Sequence, residues 1–187
     1  INASPYSIYK FEQRRAVLQK HHKPILYANL VGGQDELVFD GRSFMMDKSG
    51  QICAQASAFA EELFVFELDR TPIPEKDTSI SADIYQALTL GVKDYVTKNN
   101  FPGVLMGLSG GIDSALTLSI AVDALGADNV TAVFMPSQYS ADISEKDSRQ
   151  QADMLGVEYQ VIPIDDMFQQ ALKTLAFNTK PSVAEEN

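Results

Sequence analysis

Apolar and polar positions divide the chain into two textures. In the first, Ser4-Pro5 reads as a helix start, with Ser4 as N-cap and Pro5 in the first helical position. Ile8, Phe11, Arg15 and Leu18 then recur at helical spacing, Arg15 through its aliphatic stem, and the pattern predicts an end near His22, ahead of Pro24. Residues 25–31, ILYANLV, read as a buried strand and Gly32–Glu36 as a loop. FMMD and ICAQ, joined by Lys48-Ser49-Gly50-Gln51, read as a hairpin. ELFVFELD, at about 61–68, alternates well enough to predict another strand, apolar on both faces for part of its length.

The texture changes at Thr71–Thr78, which holds two prolines, several charges and almost no apolar residues, so the domain boundary is placed there. Beyond it the pattern is regular. Ile84, Leu88, Gly91, Val92 and Tyr95 mark a helix over about 80–98. VLMGL is a strand, 112–125 a helix stopped by Gly126, and VTAVFMP a strand. A helix then starts at Ser144, with Asp147 in capping-box style, and stops at Gly156. VEYQVIPI is a strand and 166–176 a last helix. Strands alternating with helices in short succession predict an α/β fold, a doubly wound parallel sheet of Rossmann-like type.

Composition narrows the function. Fifteen Lys and Arg against 25 Asp and Glu give a net charge of −10, which disfavours nucleic acid as a partner. No run approaches the roughly 18 apolar residues of a membrane span. The single cysteine, Cys53, excludes an internal disulfide and suits a cytoplasmic chain. An opening on Ile1 without Met and a close on Ala184–Asn187 point to an internal segment of a longer polypeptide.

The candidate chemistry sits where VLMGL meets the next helix. Gly107-Leu108-Ser109-Gly110-Gly111-Ile112-Asp113-Ser114 lies at the first βα turn, where parallel sheets bind ligands. Gly110 and Gly111 let the backbone curl, the helix adds its N–H groups and positive dipole end, and Ser109 and Ser114 add hydroxyls. An array of donors calls for an anion, most simply phosphate or pyrophosphate. The Walker pattern fails because Asp113 stands where its lysine is needed, and the glycines miss dinucleotide spacing. Asp113 beside phosphates requires a bridging cation, for which Mg²⁺ is suited.

That run resembles the pyrophosphate loop of the ATP pyrophosphatases, or adenine nucleotide alpha hydrolases, which include GMP synthetase, asparagine synthetase, tRNA thiolation enzymes and NAD synthetase. The loop alone does not choose among them. Val133–Ser137, Tyr139-Ser140 and Ser144 look like the second strand and loop of NAD synthetase. Asn2–Tyr6 and Val31–Ser43 are similar to the nitrilase-like glutaminase domain of glutamine-dependent NAD synthetases. The resemblance implies residues 1–70 as the carboxyl-terminal part of that glutaminase, 71–79 as linker and 80–187 as the start of the synthetase domain.

It also implies ATP and Mg²⁺, deamido-NAD, glutamine-derived ammonia and a homo-oligomer. Gly107 to Ser114 fall on the ATP and pyrophosphate site, with Asp113 toward the metal. Phe134, Met135 and Pro136 fall on the adenine region, and Ser4 and Lys10 on glutamine-contacting positions. Ser4 competes as an N-cap, Lys10 as a solvated lysine, and Gln34-Asp35-Glu36 either borders the glutamine pocket or is a polar turn. The glutaminase nucleophile Cys lies upstream of Asn2 in the family, so no catalytic glutaminase residue is expected within these residues and this segment alone should be inactive. Mid-strand Cys53 reads as a buried hydrophobe instead. Other ATP-pyrophosphatase amidotransferases and a non-catalytic nucleotide-binding or assembly module are the alternatives.

Overall fold

The structure, a computed structural model, describes residues 13, 15–63, 65, 67, 71–74, 79–138 and 142–175. The chain forms two compact units, Ile1–Pro102 with Asp123–Leu125, and Gly103–Val122 with Gly126–Asn187. The expected first turn at Ser4-Pro5 lies outside the described residues; residues 15–19 are helical and the chain turns at 20–21.

In the first unit β1 (Ile25–Tyr27), β4 (Phe44–Met46) and β5 (Ile52–Gln55) form an antiparallel sheet in the order β1-β4-β5. Alternation along β4 sends Phe44 and Met46 into one cluster with Ile52, while Met45 joins Cys53 and Ala54 in another. Both faces are therefore buried, and Tyr27 stacks on Phe44 with ring centroids 5.1 Å apart. The β4–β5 hairpin is the predicted one. Its turn is organised by Asp47, whose Oδ1 accepts from the Ser49 N–H (2.9 Å), the Ser49 hydroxyl (2.7 Å) and the Gln51 N–H (2.9 Å).

Three expectations change in this unit. The 25–31 strand is broken at Ala28–Leu30, where the Asn29 amide donates to Asp40 Oδ1 (3.0 Å) and the Gly41 carbonyl (2.9 Å). The supposed loop at Gly32–Glu36 is largely a strand: β2 (Val31–Gln34) pairs antiparallel with β3 (Leu37–Asp40). Its glycines are there for close approach, since a Cβ on Gly33 would meet Gly91 Cα at 3.1 Å. Residues 61–63, 65 and 67 are not in a strand; Leu63 and Val65 are 93% and 80% exposed, and no partner among the described residues pairs with them. Positions 64, 66 and 68 lie outside the described residues.

Helix α1 (Ile80–Lys98) has the predicted span. Ser79 caps it by accepting from the Ala82 N–H (3.4 Å), and Asn100 leaves it in the left-handed region (φ 56°). Its inward face holds Asp83, Gly91 and Val96, while Tyr95, expected on the apolar stripe, is exposed and lies near Phe101. By contact α1 groups with the first unit, and residues 99–103 continue from it into the second.

The second unit is α/β. Strands β6 (Val104–Gly107), β7 (Val130–Phe134) and β8 (Glu158–Val161) form a parallel sheet in that order. Helices α2 (Ile112–Leu125), α3 (Asp142–Leu155) and α4 (Asp165–Leu175) alternate with them. Leu118, Val130, Ala132, Val133 and Ala152 are buried in its core. Gly126 (φ 82°) and Gly156 (φ 70°) end α2 and α3 in left-handed geometry, as predicted. Ser144 does not start α3: the helix begins at Asp142, which places Ser144 inside its first turn.

The Asp47 turn yields a pH test. Three donors on its carboxylate, first the Gln51 N–H, hold its pKa below the ordinary 3.8. A depressed folded-state pKa stabilises above the unfolded value and loses that contribution as pH falls through the folded one. Asp47→Ala is expected to destabilise by a constant amount above about pH 5, the gap closing as pH drops below about 4. Urea unfolding of both proteins across pH checks this.

Candidate functional site

The loop between β6 and α2 is built by two constraints. Gly107 is registered against Val133 across the parallel ladder, and the next N–H, of buried Leu108, donates to the Val133 carbonyl at 2.8 Å. This fixes where the chain leaves the sheet. The backbone then turns through Gly110 at φ 79°, in the left-handed region that favours glycine. A Cβ there would also lie 2.6 Å from the Ser144 carbonyl oxygen and 2.9 Å from Ser144 Cα, so the first turn of α3 crosses close against the loop. Gly111 is the N-cap of α2 and has no side chain with which to cap it.

That missing cap leaves donors unused. The N–H of Ala115 is taken by the Gly111 carbonyl, that of Ser109 by Ser114 Oγ, and that of Gly111 by Ser109 Oγ. The N–H groups of Gly110, Ile112, Asp113 and Ser114 have no hydrogen-bond acceptor among the described residues. They stand at the positive end of a 14-residue helix, in an exposed or half-exposed turn. An anion of phosphate type matches such an array.

The hydroxyls behave differently from the sequence expectation. Ser114 Oγ donates to the Gly111 carbonyl (2.9 Å) and contacts Ser109 Oγ at 3.1 Å. With the Ser114 proton committed to that carbonyl, Ser109 is the donor of the pair. Both hydroxyl protons are therefore spent inside the loop, which they brace. The donors left for a ligand are backbone groups, and a hydroxyl joins them only after rotating away from its partner.

Asp113 sits in the first turn of α2 with an exposed side chain, where a carboxylate suits the dipole. No group of three or more His, Cys, Asp or Glu side chains able to hold a metal occurs among the described residues. A single carboxylate is still compatible with Mg²⁺, which is held by one or two carboxylates, substrate phosphates and water. Phe134 is buried at the end of β7, and its carbonyl accepts from the Ile162 N–H (2.9 Å). The Pro136 carbonyl accepts from the Ile164 N–H (3.0 Å), so both carbonyls already have a partner. Met135 is 48% exposed, and its Cε lies 3.2 Å from where a Cβ on Gly107 would stand. The structure thus brings Gly107 to Ser114, Met135 and the Ser144 backbone together. Ser4 and Lys10 lie outside the described residues.

In the first unit, Cys53 is fully buried and its thiol is pushed up, chiefly by burial. It is a core residue rather than a nucleophile. One feature escaped the sequence reading: a cavity of about 240 Å³ whose polar lining includes Asn29, Arg42, Ser43, Ser57 and Glu62. These residues come from strand ends and connections far apart in the chain, so no local pattern announces it. No helix of the described residues is long and apolar enough to cross a membrane.

Comparison with known proteins adds an independent line. Residues 84–187 match the family model described as NAD synthase. The chain is 43% identical over 202 residues to the glutamine-dependent NAD(+) synthetase of Acinetobacter baylyi, covering 100% of this chain and 37% of that protein. Among solved structures it is similar to the glutamine-dependent NAD+ synthetase from Acinetobacter baumannii in complex with adenosine diphosphate. The TM-score is 0.87 at 41% identity, covering 98% of this chain and 37% of that one. The glutamine-dependent NAD(+) synthetase from Cytophaga hutchinsonii, at 17% identity and TM-score 0.71 over 89% of this chain and 35% of that one, shares the fold. The chain spans about 37% of the length of the curated relative it matches.

The loop geometry generates a direct prediction. Gly110→Ala places a Cβ against the Ser144 backbone and strains a left-handed residue, which should cost roughly 1–3 kcal/mol of stability. Because the strain falls on the donor array, pyrophosphate binding should weaken as well. Thermal unfolding and calorimetric titration with Mg²⁺-pyrophosphate check both, with Gly126→Ala as a control whose Cβ meets nothing within 4 Å.

Proposed function

The chain belongs to the NAD synthase family, and from that premise we propose that it is part of a glutamine-dependent NAD synthetase. In a polypeptide of the relatives' length, deamido-NAD would be activated by ATP and amidated by ammonia released from glutamine. The observation that carries this reading is the set of backbone N–H groups at Gly110, Ile112, Asp113 and Ser114, without acceptors among the described residues, at the carboxyl end of a parallel strand.

In the proposed reaction the nicotinate carboxylate attacks the α-phosphorus of ATP and the bond to the β-phosphate breaks. Ammonia then attacks the acyl carbon, loses a proton and displaces AMP. The residues described here serve the first step. The loop N–H groups hold the pyrophosphate as charge gathers on it, and they are already in place, so little reorganisation accompanies the reaction. The Ser109–Ser114 brace keeps the loop from collapsing onto its own donors. Asp113 is the residue here that would hold Mg²⁺; the ion would supply neutralisation of phosphate charge. The exposed thioether of Met135, over Gly107, offers an apolar wall beside the phosphates where an adenine could rest.

The first unit we assign to the carboxyl-terminal part of a nitrilase-like glutaminase, with Ser4 and Lys10 contacting glutamine. With Cys53 buried, its nucleophile would come from elsewhere in such a polypeptide. A homo-oligomer in the cytoplasm is the corresponding expectation. The glutamine-dependent reading is favoured over other ATP-pyrophosphatase amidotransferases because the likeness extends through the first unit as well as the loop.

Asp113 separates a ligand role from a dipole role. If it holds the cation, Asp113→Ala should weaken ATP binding by roughly tenfold, about 1.4 kcal/mol, with Mg²⁺ present and hardly at all with EDTA. If it only complements the helix dipole, the variant should lose about 0.3–1 kcal/mol of stability with no Mg²⁺-dependent change in affinity. Titration calorimetry in the two buffers distinguishes them.

A further inference from the structure

The chain leaving β7 meets the phosphate loop twice. Just past the strand, Met135 Cε lies 3.2 Å from where a Cβ on Gly107 would stand; farther on, the Ser144 backbone crosses Gly110. The second contact is secured by α3 itself. Ser148 and Ala152 are fully buried, the Ser148 and Tyr159 hydroxyls meet at 2.8 Å, and Gln151 Nε2 donates to the Ala115 carbonyl of α2 at 2.7 Å. The first contact depends on how β7 is continued.

Beyond β7 the parallel pairing with β8 runs on. The Ile162 N–H donates to the Phe134 carbonyl (2.9 Å) and the Ile164 N–H to the Pro136 carbonyl (3.0 Å), while Pro136 has no N–H to return. The next rung of a parallel ladder would carry the Gln138 N–H to the Ile164 carbonyl. That carbonyl is already taken by the Phe168 N–H (2.9 Å) as α4 begins. The Gln138 N–H goes instead to Asp165 Oδ1 at 2.8 Å. Asp165, in the first turn of α4, thus supplies the acceptor that the sheet has given up to the helix. Its charge strengthens the bond beyond that of an ordinary rung. The segment carrying Met135 is thereby held against β8 after the strand has ended.

We propose that Asp165 is a positioning residue for the nucleoside end of ATP. Through Gln138 it keeps Met135 beside Gly107, where the adenine would rest. The pyrophosphate end depends on the loop and on α3, both fastened without Asp165. The inference rests on the nucleotide reading above and adds to it a residue from the far side of the sheet. It separates two parts of one ligand by what holds the protein around each.

The test is calorimetric titration of the full-length polypeptide with Mg²⁺-ATP and with Mg²⁺-pyrophosphate. Asp165→Ala should weaken ATP binding by roughly five- to tenfold and leave pyrophosphate within about twofold of wild type. Asp165→Asn keeps an oxygen that accepts from Gln138 and should recover most of the ATP affinity. Asp166→Ala removes the same charge from the same turn and should move neither affinity. Equal losses for both ligands, no loss for either, or an Asn variant as weak as the Ala variant would overturn the proposal. Thermal unfolding reports whether the variants are intact. Should Asp165→Ala fail to fold, Asp165→Ser, with a side chain too short to replace the carboxylate, decides by the same two titrations. A wild-type protein that binds neither ligand would instead refute the nucleotide reading itself.

Discussion

The second unit turns on a crossing of two backbones at Gly110. The parallel ladder between β6 and β7 dictates where the chain leaves the sheet, and the first turn of α3 lies across its exit. Only a residue without a Cβ, in left-handed geometry, passes beneath it. Once that passage is made, α2 follows Gly111 with no side-chain cap, and its leading N–H groups have no acceptor among the described residues. The array of donors at this turn is thus a by-product of a packing constraint. A capping side chain at Gly111 would satisfy the helix and compete with any anion for its donors.

Much of this was legible in the sequence because the deciding residues are local. Gly126 and Gly156 announce helix ends, the mostly apolar VLMG and VTAVF announce β6 and β7, and the glycines of the loop announce the turn. The hydroxyl brace was not legible. Whether Ser109 and Ser114 face a ligand or each other depends on rotamers set by a contact across the loop. The expectation of two extra donors therefore gave way to a closed circuit.

The first unit was read less well, for the same reason in reverse. Gly32-Gly33 looks like a loop when nothing is known of its neighbour, and becomes a strand because α1 approaches closely enough to require glycine. Alternation at 61–68 looks like a strand, yet alternation describes a face, and strand formation needs a pairing partner. Arg42 and Asp83 are 41 residues apart, and no periodicity links them, although together they are the best-buried ion pair described. Tyr95 kept helical spacing and still ended on the outer surface, since the inward stripe turned toward Asp83, Gly91 and Val96.

The central claim is that specific backbone N–H groups at the start of α2 receive a diphosphate. Amide-resolved NMR titration with Mg²⁺-pyrophosphate asks this residue by residue. The account predicts saturable shifts concentrated at Gly110, Ile112, Asp113 and Ser114, with the core amides of Leu118 and Val130 unmoved. Shifts that never saturate, or that concentrate elsewhere while those amides stay still, would contradict it.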